Sequence, residues 1–526
     1  MNTHYDVAII GYGPTGLVLA SALGQAGHRV IVIEKWPGLY GLPRLTHIDG
    51  EVARVIQSVA DVDHALRDGR PIDSYRYVNG AGEVLVDLDF SGESAGFPAH
   101  IAMYQPDIED AIDARVRSFP NVEVNQGNVV VAFEQHPDSV SVTFRPWAAS
   151  RTEQWSNQSD ARTVTARFLV GADGANSFVR TALGIDRADL GVDDRWLNID
   201  TERLRPLGAK FDRLIQVCDP ARGHMFMPIG KTRQRFELAL LPGEDASEFE
   251  RPEFGWQWLR EQHGIGPDDV RMLRQVVYVF QARVAQEWRR GRVLLAGDAA
   301  HTMPPYMGQG ACSGMRDAIT LAWKLDLVLR GRADEKLLDT YEAERRPHAT
   351  AIVENSVALG RIANTHDHDA AAARDEAFRT GTVPPPPPFP TLVGGVVHCG
   401  PDGSATGLAG TLAPQGEVEF AGVRGRFDDV VGRGFAVIAS GDPRAVLDSA
   451  QLDFLTGLDA VVIALADIRD AAGVYRKYLA DNDIDVFIAR PDFHLFGAGR
   501  MADLPALIDA LQNRLAWKTT REQVAV

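Results

Sequence analysis

Three carboxylates in this chain stand where an apolar run stops: Glu34 after HRVIVI, Asp173 after ARFLVGA and Asp298 after GRVLLAG. A carboxylate at the end of a buried strand either accepts hydrogen bonds from sugar hydroxyls or caps the turn that follows. Each of the three therefore has a ligand-binding reading and a structural one. Asp298 stands near the start of the stretch AGDAAHTMPPYMGQG, residues 296–310, in which the two adjacent prolines and two glycines that follow it exclude regular structure. A loop of that composition buries little of its own surface and suits packing against a ligand. Ahead of Glu34 and its neighbour Lys35, the residues Gly11, Gly13 and Gly16 enclose Pro14 and Thr15 in a G-x-G-x-x-G pattern. Such glycines give a tight turn, let backbone amides approach a pyrophosphate and seat the helix on its strand.

The elements that must position these groups follow from periodicity. YDVAIIGYGPTGLVLASALGQAGHRVIVIEKW reads as strand, glycine loop, helix and second strand, a βαβ unit with Glu34 at the far tip. In an open parallel sheet, ligands sit beyond the carboxyl ends of the strands, so Glu34, Asp173 and Asp298 could converge on one ligand. Between these landmarks the period changes to two. EVLVDLDF (83–90) and QRFELALL (234–241) alternate, the second placing Phe236, Leu238 and Leu240 on one face. With residues 213–219, 224–229 and 275–283 they predict an antiparallel sheet inserted in the nucleotide-binding domain, one face covering something apolar. Residues 314–365 read as strongly helical, and TVPPPPPFP (382–390) as a stiff spacer. Beyond it, GFAVIAS, LDAVVIALAD and DIDVFIARPD alternate with helical segments as a smaller α/β domain.

Composition sets the outer limits. A chain of 526 residues, 45% apolar and 24% charged, is long enough for two or three domains. Its 71 acidic against 54 basic side chains give a formal charge of -17, which repels phosphate backbones and anionic lipid surfaces. Neither nucleic acid nor a membrane is an expected partner. Cys218, Cys312 and Cys399 lie far apart with no CxxC or metal-ligand spacing, which fits a reducing cytoplasm rather than a disulfide framework or a zinc site. No signal-peptide layout or apolar run of roughly 18 residues is present, so a soluble protein is expected.

GYGPTG with Glu34, then GADGANSFVR, then LLAGDAAHTMPPYMGQGACSGMRDAITLAWKL, in this order and spacing, resemble the single-component flavoprotein aromatic hydroxylases of the p-hydroxybenzoate hydroxylase fold. The resemblance covers the whole chain. CDPARGHMFMPIG, RFELALLPGE and LLDTYEAERRPHA bring it nearest to the 3-(3-hydroxyphenyl)propionate hydroxylase branch. It implies a mixed α/β fold: a Rossmann-like FAD-binding domain over 1–365 with an inserted substrate-binding sheet (about 72–104 and 185–285), a Pro-rich linker over 366–390, and a thioredoxin-like domain over 391–526.

By the same resemblance, FAD lies extended, its pyrophosphate at the first helix and its adenosine ribose on Glu34. Arg44 brings positive charge to the pyrophosphate, Gln105 sits near the ribityl chain, and Gly297 and Asp298 serve the ribityl hydroxyls. The loop from Pro304 through Gly308, Gln309 and Gly310 to Ala311 lays its backbone amides against the flavin ring. Asp173, Gly174 and Arg180 match the motif serving both FAD and the nicotinamide donor, NADH or NADPH. No second G-x-G-x-x-G unit exists, so that donor binds transiently on the flavin domain. The implied reaction uses NAD(P)H and O2 to hydroxylate a phenolic ring. Asp49 matches an aspartate that activates the phenol in related enzymes, with a helix N-cap as its alternative role. His301 is a second candidate base, with bracing of the loop as its alternative. The thioredoxin-like domain holds only Cys399, which rules out dithiol exchange and leaves structural work or homodimer contacts. Two rival readings are a tailoring hydroxylase of a polycyclic polyketide and a non-catalytic flavin-fold binding protein. The Asp173 motif argues against the second.

Overall fold

The computed structural model describes residues 4–147, 160–384 and 387–518. The βαβ unit forms as its pattern requires. Strand His4–Ile10 lies parallel to Val30–Glu34 on one side and to Arg162–Gly171 on the other. Val122–Gln126 extends the sheet in parallel beyond Val30–Glu34, and Val293–Leu295 pairs in parallel with Arg162–Gly171. Val7, Ala8, Ile9, Ile31 and Val32 are wholly buried, as befits strands covered on both faces. The strand ends carrying Glu34, Asp173 and Asp298 are thereby brought to one edge of one sheet. The antiparallel strands Asn128–Gln135 and Val140–Pro146, which complete this sheet beyond Arg162–Gly171, were not foreseen from the sequence.

The inserted sheet is larger than its sequence pattern implied. Eight strands run in the order His301–Thr302, Val270–Ala285, Arg187–Arg203, Arg233–Ala239, His224–Ile229, Leu214–Cys218, Ser74–Asn79 and Val84–Asp89. All neighbours are antiparallel except Leu214–Cys218 beside Ser74–Asn79. One face carries Phe236, Leu238 and Leu240 and packs with Trp258 and Leu259 of helix Pro252–His263. That helix, and not a ligand, takes up the apolar face read from QRFELALL. The opposite face carries Arg235 and Glu237.

The helical stretch resolves into Gly310–Leu329 and Asp339–Ala363. Residues 366–390, expected as a linker, include the helix His368–Arg379, whose Arg374 donates to the Cys218 and Ile362 carbonyls. Pro385 and Pro386 of the proline run lie outside the described residues. The C-terminal sheet runs Val461–Ala464, Ala436–Ala439, Val486–Ala489, Leu495–Gly499, with one parallel and two antiparallel pairings, a thioredoxin-like arrangement. It is docked, not tethered. Arg54 makes a two-pronged contact with Asp428 at 2.7 and 2.8 Å, and Arg490 joins Asp492 and Glu344 in full burial.

Candidate active site

A cavity of about 630 Å³ runs from the glycine loop to the inserted sheet. At its first end, Gly13, Pro14 and Thr15 expose the N-terminus of helix Pro14–Gln25, where unpaired backbone amides favour an anion. Gly11 is indispensable to this turn: its φ is +104°, and a Cβ there would stand 2.2 Å from the Ala172 carbonyl oxygen. Gly13 has no atom within 4 Å of the corresponding position, leaving the space a pyrophosphate needs. Gly16, inside the helix, does not line the cavity. Glu34 does, with one carboxylate oxygen accepting from Tyr12 N at 2.8 Å and the other from Trp36 N at 2.9 Å. Lys35 is exposed, over the Trp36 ring, and is not part of the lining.

The middle of the cavity is set by long-range contacts. Arg44 lies 3.9 Å over the Tyr40 ring, and its backbone N–H donates to Gln105 Oε1, as does that of Leu45. Gln105 is thus a clamp on the Arg44 segment as well as a lining residue. Asp298 is exposed and lines this cavity; desolvation among its neighbours raises its carboxyl above the usual range, against the pull of His301 and Arg44. Gly297, behind it, donates its N–H to Asp317 at 3.0 Å. Gly308, Gly310 and Ala311 line the cavity, whereas Pro304 and Gln309 do not. Gly308 has φ +65° and packs on the imidazole of His47, where a Cβ would come within 2.8 Å of Nδ1.

The remaining sequence candidates are placed differently. Gly174 lines the cavity, but the Asp173 carboxylate turns away to Ser177 Oγ and the Val179 N–H, the capping role. Arg180 is buried, donating to the Ala299 and Ala175 carbonyls, and so ties the Asp173 turn to the Asp298 turn. Asp49 caps helix Gly50–Val59 through the Val52 N–H at 2.9 Å and accepts from Gln309 at 3.0 Å and from Arg316. Burial would raise its carboxyl, yet the Arg316 guanidinium and these hydrogen bonds hold it down to about 2. His301 is fully buried against Trp288, its Nε2 2.7 Å from Asp317. Neither Asp49 nor His301 lines the cavity, so this geometry favours the cap and the brace over the two bases.

Sequence reasoning missed the far wall. His47, Tyr75, Phe90, Asn198, Met225, Met227, Glu237 and Phe280 surround an apolar pocket next to Gly308. His47 is neutral in ordinary conditions: burial and the adjoining His100, 2.8 Å away, lower it to about 3. Arg235 and Arg274 both bind Asp200 and both donate to the Pro43 carbonyl, so the sheet holds the Arg44 segment in place. The available signal was the alternation in QRFELALL itself, which puts Arg235 and Glu237 on the face opposite the phenylalanine.

An open helix N-terminus and Arg44 on one cavity, a carboxylate at a strand tip, and a cavity-lining Asp298 next to a glycine-bearing loop fit an extended dinucleotide with a planar ring. Comparison with known proteins agrees. Residues 4–356 match the family described as FAD binding domain, and 410–514 match the HcaD C-terminal domain. A probable NADH-specific resorcinol 4-hydroxylase of Rhodococcus jostii (strain RHA1) is 36% identical, over 97% of this chain and 95% of the relative. A 3-(3-hydroxy-phenyl)propionate/3-hydroxycinnamic acid hydroxylase of Mycobacterium sp. (strain JLS) is 32% identical, over 97% and 92%. The fold superposes on aklavinone-11 hydroxylase with FAD and aklavinone, with a TM-score of 0.77, 24% identity and 98% and 100% coverage. The chain belongs to the FAD binding domain family and, within it, to the FAD-dependent aromatic hydroxylases.

Proposed function

We propose that the protein hydroxylates a one-ring phenol with NADH and O2, holding FAD between the glycine loop and the inserted sheet. The observation that carries this reading is the continuity of the cavity: the dinucleotide cradle opens directly into an aromatic-lined pocket at Gly308. Bound FAD supplies the redox chemistry, taking reducing equivalents from the nicotinamide and activating dioxygen. This chain's own groups bind and orient. The helix N-terminus and Arg44 take the pyrophosphate, Glu34 the adenosine ribose, and Asp298 the ribityl hydroxyls. The amides of Gly308, Gly310 and Ala311 face the ring, where they stabilise negative charge without an interposed side chain. Asp173 and Arg180 shape the turns on which the nicotinamide donor docks.

The choice of one ring rests on whole-length likeness at 36% and 32% to enzymes named for one-ring phenols, against 24% to aklavinone-11 hydroxylase. NADH as donor rests on the name of the first of these relatives. Three free cysteines and no paired thiols among the described residues accord with work in the cytoplasm. The test is a purified yellow protein assayed for NADH and oxygen consumption with resorcinol, 3-(3-hydroxyphenyl)propionate and phenol, with products identified. Phenol-stimulated NADH oxidation matched by hydroxylated product is expected. A colourless protein, or NADH oxidation indifferent to every phenol, overturns the proposal.

A further inference from the structure

The inserted sheet presents to the pocket a carboxyl that receives no hydrogen bond among the described residues. Glu237 is 4% exposed and lines the cavity. Its one charged contact is Arg235 at 3.6 Å, beyond hydrogen-bond reach. Arg235 spends four of its five N–H donors on Asp200 and on the Pro43 and Arg44 carbonyls, which holds its remaining Nη1 donor 3.6 Å from Glu237, too far to bond it. Directly across the ladder from Glu237 stands Asn198, 3% exposed, also lining the pocket, with Oδ1 buried and unpaired. A buried polar atom without a partner is costly, and one such amide oxygen directly across the ladder from an unbonded carboxyl at a cavity wall points to a ligand that supplies donors there. Their surroundings, Met225, Met227, Tyr75 and Phe280, are shaped for an aromatic ring.

We propose that Glu237 and Asn198 form the hydroxyl-recognition site of the substrate pocket, and that the preferred substrate is a phenol carrying a second hydroxyl donor. The inference deepens the phenol hydroxylase reading and rests on it. Cross-strand neighbours have Cβ atoms about 4.5–5.5 Å apart, the scale of a single benzene ring, so two hydroxyls of one ring reach both acceptors. One hydroxyl donates to Asn198 Oδ1 and the other to Glu237. In the reaction the second O–H bond breaks and the Glu237 carboxylate takes the proton. The electron pair left on oxygen enriches the ring carbon that receives the new oxygen; Glu237 then returns its proton to the substrate oxygen, and the proton shed by that carbon as the ring regains aromaticity passes to water.

The electrostatics suit this work. Burial raises the Glu237 carboxyl to about 7; Asp200 pushes it the same way, and Arg235 and Arg274 restrain it. Tyr75 also faces it and stays protonated, pushed up by its own burial. A base in this range is matched to proton exchange near neutral pH, unlike Asp49.

The test uses FAD-loaded protein. Binding of resorcinol and of phenol is followed by perturbation of the flavin absorbance, and turnover by NADH oxidation with product analysis. Wild-type protein is expected to bind resorcinol at least ~10-fold more tightly than phenol, one hydrogen bond to a buried acceptor accounting for the difference. Asn198→Ala is expected to erase most of that preference. Glu237→Gln, with FAD colour and melting behaviour retained, is expected to lose ~100-fold or more in coupled hydroxylation and to lose the rise of kcat/KM through neutral pH. Equal wild-type affinity for resorcinol and phenol overturns the proposal without recourse to any variant. So does a Glu237→Gln protein that hydroxylates with unchanged coupling and pH profile; in that case phenol hydroxylation itself stands. No phenol-stimulated turnover in wild type overturns the hydroxylase reading, while the binding comparison still judges the site.

Discussion

Glu34 and Asp49 show how a carboxylate's partners decide its work. Glu34 accepts from two backbone amides yet still faces the cavity, so it keeps lone pairs for a ribose. Glu34→Ala is expected to weaken FAD binding by about 1.5–3 kcal/mol, measured by titration of apoprotein; unchanged affinity would remove Glu34 from the ribose site. Asp49 has its oxygens engaged by Val52, Gln309 and Arg316. Asn also caps helices well, so Asp49→Asn preserves the helix start and is expected to leave hydroxylation coupled to NADH oxidation. It should instead cost stability, because Arg316 keeps only Glu51 as a carboxylate partner. The pH dependence carries the same signature. A carboxyl held down to about 2 in the folded state stabilises fully above its unfolded value near 4, and that contribution fades as pH falls from about 4 to 2. Wild type and Asp49→Asn should therefore converge in unfolding free energy on acidification; curves that stay parallel would exclude this role.

At the scale of elements, the inserted sheet does more than floor the pocket. Arg235 and Arg274 reach from adjoining regions of its surface to Asp200 and the Pro43 carbonyl, with Arg235 also holding the Arg44 carbonyl. The proposed substrate wall and the Arg44 segment are thus one mechanical unit. Arg235→Met is expected to preserve secondary structure by circular dichroism but to reduce FAD affinity by at least ~10-fold, equivalent to about 1.4 kcal/mol. If FAD affinity is unchanged, Arg274 and Gln105 suffice to position Arg44 without Arg235. The same sheet explains why alternation in its strands has a double reading: apolar side chains bury under helix Pro252–His263, and charged ones face the cavity.

At the scale of the whole molecule, the thioredoxin-like domain is joined to the flavin domain by a buried ionic cluster. Lys324, Glu344, Arg490 and Asp492 are fully removed from solvent, with Glu344 bound by both Lys324 and Arg490. Removing one member strands the others without water. Glu344→Gln is expected to destabilise the protein by about 3–5 kcal/mol and to make the C-terminal domain more susceptible to limited proteolysis. A melting temperature within a degree of wild type would show that the cluster contributes nothing to docking.

The sequence by itself determined whatever is local and repeated along the chain. The glycine spacing forced the turn at Gly11, because only glycine tolerates that φ beside Ala172, and the apolar run to Glu34 forced a buried parallel strand. The stop at Asp298 and the proline and glycine that follow made a loop open to a ligand. These features read directly because backbone geometry and strand burial depend on neighbours in sequence. Tertiary structure alone decided which carboxylates open on the cavity and which are taken up by the fold. Asp49, Asp173 and Asp298 share one residue type and one kind of position, yet Asp49 meets Arg316 from 267 residues away, Asp173 folds back on Ser177, and only Asp298 remains open. Glu237 is the converse: a carboxyl in an ordinary alternating strand, held 3.6 Å from Arg235 and without a hydrogen bond among the described residues, because Arg235 is claimed by Asp200 across the ladder. Such outcomes hang on contacts between distant segments, to which periodicity and composition are blind.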